Sequence, residues 1–137
     1  MATITQIRSA LATRLATIPG LTTYATIPAT PQAPCILIRP DMQDYDLTFA
    51  NAADTARFEL TLLAVPVGSP FEMAQDLVDA YLPRTGTYSI KAAIEGDKTL
   101  GGMVDAVRVT GWREYGSIAY GGSEYFGVRF AVEVWPR

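Results

Sequence analysis

The sequence contains no histidine. That absence removes imidazole general bases, Ser-His-Asp and Cys-His catalysis, His-ligated zinc and pH switching near neutrality. Cysteine is limited to Cys35, which leaves no internal disulfide. Set in the apolar run Cys35-Ile36-Leu37-Ile38, that thiol reads as a small buried strand residue rather than a nucleophile. Charge is sparse: 11 Lys and Arg against 14 Asp and Glu, for a formal net charge of -3. Such a chain lacks the cationic footprint that tight phosphate binding needs, so sequence-specific nucleic-acid recognition is not expected. No run approaches the ~18 apolar residues of a membrane span, and Met1 to Ile18 lacks the charged-then-apolar order of a signal peptide. The expectation is a chain with no membrane association and no standard export.

What is present is apolar. The 137 residues are 49% hydrophobic and 18% charged, enough for one domain spanning 1–137 and rich enough in apolar side chains to hide extra surface in partners. From Thr3, the residues Ile4, Ile7, Leu11, Leu15 and Ile18 recur at steps of three and four and predict an amphipathic helix, which Pro19-Gly20 ends. Leu21 to Ala25 reads as a short strand. Pro28, Pro31 and Pro34 favour an extended connector before a buried strand at Cys35 to Ile38. Pro40 to Asp54 sets Asp41, Asp44, Asp46 and Asp54 among Tyr45, Leu47 and Phe49 with neither period, and reads as a long loop. Arg57 to Val65 alternates Phe58, Leu60 and Leu62 with Arg57, Glu59 and Thr61, which predicts a strand with one buried and one polar face.

Ser69-Pro70-Phe71-Glu72 combines a Ser cap, a proline at the first helical position and a glutamate at the third, and starts a helix that buries Phe71, Ala74, Leu77, Val78 and Tyr81. A shorter helix is predicted from Ser89 to Glu95, ended by Gly96. Met103 to Trp112 follows as a strand, with Val104, Ala106 and Arg108 on one side and Met103, Val107 and Val109 on the other. Ser117 to Tyr120, Gly121-Gly122 and the alternating segment Glu124 to Trp135 predict a hairpin with a two-glycine turn, its second arm being the central strand. The order predicts an α+β fold: a single domain with a mostly antiparallel curved β-sheet, helices packed on one face and a projecting β-hairpin.

Chemistry-bearing patterns are thin. Asp41, Asp44 and Asp46 lack the spacing, turn glycine and closing glutamate of a calcium loop and read as a solvated face. Gly96, Gly101 and Gly102 around Lys98-Thr99 lack the spacing of a phosphate loop. Glu59 and Glu133 form an acid/base pair only if their strands adjoin, and read more simply as cross-strand partners of Arg57 and Arg129. No catalytic, metal or cofactor residue is assigned. The surface instead reads as an interaction surface: the segment Leu47-Thr48-Phe49-Ala50 and the aromatic, glycine-flanked hairpin Tyr115 to Tyr125 are candidate interface arms.

The whole chain resembles the tail terminator proteins of long-tailed, siphovirus-type bacteriophages, particularly those of phages of actinobacteria. The resemblance rests on Thr3-Ile4-Thr5-Gln6-Ile7-Arg8 through Leu15-Ala16-Thr17-Ile18-Pro19-Gly20-Leu21, on Pro40-Asp41, Asp44-Tyr45-Asp46 and Thr48-Phe49, and on Ala92-Ala93-Ile94-Glu95-Gly96-Asp97-Lys98-Thr99-Leu100-Gly101-Gly102. It continues through Val107-Arg108-Val109-Thr110, Tyr125-Phe126-Gly127-Val128 and Phe130-Ala131-Val132-Glu133-Val134. It implies a structural virion protein, not an enzyme, with no cofactor. Such a subunit forms a homohexameric six-fold ring on the head-proximal end of the tail tube, ends tube polymerisation and offers the head-tail joining surface to a connector or stopper. It is assembled in the host cytoplasm and resides in the virion tail, with DNA passing through the lumen unread. Residues 41 to 53 and 115 to 125 are then the expected contacts with neighbours or tube, in particular Asp44, Tyr45, Asp46, Leu47, Phe49, Tyr115, Ile118, Tyr120 and Tyr125. The alternatives are another neck ring component, a head-tail stopper or adaptor, and a small carboxylate-dependent enzyme using Glu59, Glu133 and the loop aspartates.

Overall fold

A computed structural model of the chain describes residues 3–24, 34–44, 55–66, 71–120 and 122–136. Helix α1 (Ile4–Leu15) starts at a capping box in which Thr3 accepts from the Gln6 N–H at 3.2 Å and the Gln6 side chain accepts from the Thr3 N–H at 2.9 Å. These reciprocal bonds satisfy amides the first helical turn leaves without partners. Its apolar stripe is buried at Ile7, Leu11 and Leu15, as the spacing predicts. Strand β1 (Thr22–Tyr24) follows Gly20, whose φ of +73° turns the chain. Strands β2 (Cys35–Asp44) and β3 (Thr55–Pro66) come next, then helix α2 (Phe71–Asp79). Ser69 and Pro70, the predicted cap, lie outside the described residues. Helix α3 (Ile90–Glu95) is capped by Ser89, which accepts from the Ala92 N–H, and ends at Gly96. Strands β4 (Val104–Tyr120) and β5 (Ser123–Pro136) follow.

The fold is α+β. One open sheet of five strands runs in the order β1-β2-β3-β5-β4. Every pairing is antiparallel except that of β1 with β2. All three helices contribute to one continuous core with a single side of the sheet: Ile7, Leu11, Ala74, Val78, Ile90 and Ile94 meet Ile38, Phe58, Leu60, Val107, Phe130 and Val132. Among the described residues the helix layer therefore lies on one face, and the other face carries no helix.

Four details differ from the sequence expectations. First, the strand expected at 35–38 runs on to Asp44, with an irregularity between Pro40 and Met42 that accommodates a residue unable to donate to the ladder. Second, β3 is buried on both faces over most of its length: Thr55, Glu59, Thr61 and Leu63 are buried as well as Phe58, Leu60 and Leu62, and Arg57 alone among Thr55 to Ala64 is exposed. It is β3 and not β5 that holds the centre of the sheet, with β5 beside it. Third, β4 is one strand of 17 residues with register shifts at Val104/Ala106, Val109/Gly111 and Arg113/Gly116. Each shift inserts an extra residue on β4, so Val104, Val107 and Val109 all reach the core although simple alternation separates the first from the other two.

Fourth, the β4–β5 hairpin reaches only a short way past its neighbour. Tyr120 pairs with Ser123 around the two-residue turn, and Gly122 takes a φ of +82°. Pairing of β5 with β3 continues as far as Tyr125 opposite Pro66, so only Ser123 and Glu124 of β5 lie beyond that ladder. The tip packs back on the sheet: Ile118 joins Cys35, Leu37 and Leu63 in a second buried cluster, flanked by Tyr24, Tyr120 and Tyr125.

Candidate interaction surfaces

The helix-free face is organised around one carboxylate. Glu59 sits at the middle of β3 with its side chain only 6% exposed. Arg39, directly opposite it on β2, donates Nη2 to Oε1 at 2.9 Å. Arg129, two residues diagonal on β5, donates Nη1 to the same oxygen at 3.0 Å, and Arg113 of β4 donates Nη2 to Oε2 at 3.3 Å. Arg129 also places Nε 2.8 Å from the Glu114 carboxylate. Glu114 is held there in the third β4 irregularity with a φ of +58°. Glu133 pairs across strands with Arg57, Nε to Oε1 3.5 Å. β3 and β5 are neighbours, so both glutamates lie on one face, and the cross-strand pairing with arginine is the arrangement found. Charge-assisted hydrogen bonds of this kind fix guanidinium orientation as well as adding stability.

The hairpin aromatics divide between the two faces. Tyr115 is exposed, stacks edge-on against Phe126 with centroids 5.4 Å apart, and lies 6.0 Å from Trp112. Its hydroxyl donates to Asp79 of α2 at 2.7 Å. Burial, that hydrogen bond and the nearby Asp79 and Asp76 charges push the phenol up to about 12. Of the other expected contact residues, Ile118 is buried within the chain's own second cluster, and Tyr120 and Tyr125 are half-buried against it. Ile118 is therefore a packing residue. Asp44 ends β2 opposite Thr55. Tyr45, Asp46, Leu47 and Phe49 lie outside the described residues. Burial raises the Cys35 thiol to about 11, which keeps it protonated and unreactive.

β4 is an edge strand, and α3 covers part of its edge. The Glu95 carboxylate accepts from the Val109 N–H at 3.1 Å, while Lys91 donates to the Val109 carbonyl at 3.2 Å and pairs with Glu95. Side chains thus occupy backbone groups that an edge leaves available for another strand. Burial alone raises the Glu95 carboxyl, but the Lys91 hydrogen bond, the Val109 N–H and the Lys91 and Lys98 charges hold it below the usual range. Asp97 is held low by the Gly101 N–H and the Thr99 hydroxyl. Its carboxylate closes the glycine turn that superficially resembles a phosphate loop, with the Gly101 N–H at 2.8 Å.

A carboxyl lowered on folding adds stability above its unfolded value, and that stability is lost as the pH falls through the lower folded value. The melting temperature is therefore expected to fall between about pH 5 and pH 3. Glu95→Gln is expected to cost about 1 kcal/mol at neutral pH and to flatten this acid limb. Thermal melts of both chains across that range check it; superimposable curves refute it.

Between α3 and the β4 edge lies a cleft of about 610 Å³. Arg84, Lys91, Lys98 and Arg108 bring four cations to its lining, against the single carboxylate of Glu95, and Trp112 and Trp135 are the two tryptophans that line it. Sequence reading missed this cleft, since its cations come from the loop after α2, from α3, from the turn that follows α3 and from β4. The Glu59 centre was read only in part: its pairing with Arg129 is the expected one, but Arg39 and Arg113 are placed beside it by pairings that no local pattern specifies. The alternation of Arg57, Glu59 and Thr61 was the one available signal.

Among the described residues, no helix is long and apolar enough to cross a membrane. No protein-family model and no curated protein matches the chain.

Proposed function

We propose that the chain is the subunit of a phage tail terminator: a homohexameric ring that caps the head-proximal end of the tail tube, stops its polymerisation and offers a joining surface to the head connector. The reading rests on the resemblance carried by the residues quoted above. The observation that supports it most is the helix-free face of the sheet. There a lattice of arginines and carboxylates runs across β2, β3, β5 and β4, with Arg39 and Arg113 held by Glu59 yet at least half exposed. A preorganised polar face on a small domain suits contact with other protein subunits, because its side chains are already ordered before docking. The subunit carries out no reaction and holds no cofactor on this reading. DNA passes a wall of like sign, in keeping with the net charge of -3.

The test is electron microscopy of lysates from phage lacking this chain, paired with tube assembly in vitro. Overlong, headless tails, and a purified protein that halts polymerisation of tail-tube protein, are expected. Tails of normal length overturn the reading. Normal-length tails that fail to join heads, with no effect on polymerisation, point instead to a stopper or adaptor.

A further inference from the structure

We infer that the cationic cleft beside the β4 edge receives the acidic segment 41–54 of a second copy of this chain. The inference rests on the ring reading and names both sides of its subunit contact. The cleft is built: the loop after α2, helix α3 and strand β4 converge on it, and Trp112 stands about half exposed at its wall. Its two arginines are available. Arg84 and Arg108 are exposed and make no hydrogen bond or ion pair with the described residues, whereas Lys91 is engaged by Glu95 and Val109.

The occupant follows from charge and position. Residues 41–54 read DMQDYDLTFANAAD, with four aspartates, two aromatics and no cation. The segment's residues 41–44 close β2, and the rest of it joins Asp44 to Thr55 of β3, which are paired. In the order β1-β2-β3-β5-β4 its base therefore lies on one flank of the sheet and the cleft on the other. Joining unlike patches from opposite flanks is a heterologous contact, the kind that propagates from copy to copy and closes into a ring. Aspartates match the arginines, and Tyr45, Leu47 and Phe49 offer apolar area to the tryptophans. Nucleic acid is the poorer match, because the cations line one local cleft rather than a stripe, on a chain of net charge -3.

Charge reversal on each side tests the contact in the full chain. One variant carries Arg84→Glu with Arg108→Glu, the other Asp44→Lys with Asp46→Lys, both checked for parental circular dichroism. Sedimentation of labelled chains is expected to show at least tenfold weaker self-association for either variant alone, and recovery when the two are mixed, since each then meets a complementary partner. Parental association should weaken as salt is raised. A synthetic peptide spanning 41–54 should bind the parent with a change in tryptophan fluorescence and bind the cleft variant at least tenfold more weakly. Absence of peptide binding, no recovery on mixing, or tighter binding of an oligonucleotide than of the peptide overturns the inference. Reversal variants that still cap tubes as the parent does remove this contact and leave the ring reading standing. A parent that pairs through the cleft yet never caps a tube does the converse.

Discussion

Gly127→Ala is expected to destabilise the domain by about 3 kcal/mol or more, the upper end of what overpacking costs. A β-carbon on Gly127 falls 1.9 Å from the Leu62 carbonyl oxygen and 3.0 Å from its carbonyl carbon, with Ile118 Cδ1 at 3.4 Å. A flexible side chain can swing away from such an intrusion, but this obstacle is the backbone of the central strand. β3 is bonded to β2 on one side and β5 on the other, so displacing Leu62 disturbs two ladders at once. The glycine sits where the β3–β5 register shifts between Leu63 and Val65, and it pairs with Gly116 at the third β4 irregularity. Two strands approach here more closely than an ordinary pleat allows, and only a residue without Cβ permits it. Against a typical total stability of ~5–15 kcal/mol, the loss is a large fraction. Denaturant melts followed by circular dichroism measure it. Gly111→Ala is the control: its β-carbon meets nothing within 4 Å, and its midpoint should match the parent's. A Gly127→Ala midpoint equal to the parent's refutes this account of the close approach.

That glycine also marks where sequence reading stops. Gly127 interrupts no pattern: in Phe126-Gly127-Val128 it occupies an outward position, where a small residue draws no notice. Periodicity located α1 and the core side of β3 and β5, and joined to capping signals it located α2 and α3, because burial against one continuous core imposes a local repeat. Ser89 and Gly96 bounded α3 for the equally local reason that a helix end needs partners for its amides. What local pattern does not encode is which strands adjoin. Glu59 reads as a polar position on a half-buried strand, yet it is enclosed because β2 and β5 deliver Arg39 and Arg129 to it and β4 delivers Arg113. The cleft is hidden for the same reason, as Arg84, Lys98, Arg108 and Trp135 come together only through the tertiary fold. Burial of Ile118 was illegible because three extra residues on β4 reset its parity before that point.

Glu59→Gln should produce the second large loss, about 2–3 kcal/mol. Removing one member of a fully buried ion pair costs ~3–5 kcal/mol, since the partner charge is stranded in a low-dielectric site. Here the partners differ in their access to water: the Arg113, Arg39 and Arg129 side chains are 64%, 50% and 27% exposed. Arg39 and Arg113 can turn outward and rehydrate, which brings the expected cost below the fully buried figure. Arg129 is the most enclosed of the three, and Glu114 remains to it as a counterion. The single changes Arg39→Ala and Arg113→Ala should therefore cost ~1 kcal/mol or less, as exposed pairs do. A double-mutant cycle should place the largest coupling between Glu59 and Arg129. Salt gives the sharper discrimination. With the carboxylate gone, three guanidinium groups face a common point and repel one another, and screening relieves repulsion. Glu59→Gln should accordingly regain stability as salt is added, beyond any response of the parent. A variant within ~0.5 kcal/mol of the parent, or one whose deficit is indifferent to salt, would mean that Glu59 fills space rather than ordering the arginines. The helix-free face would then have lost the charge that holds its shape before docking.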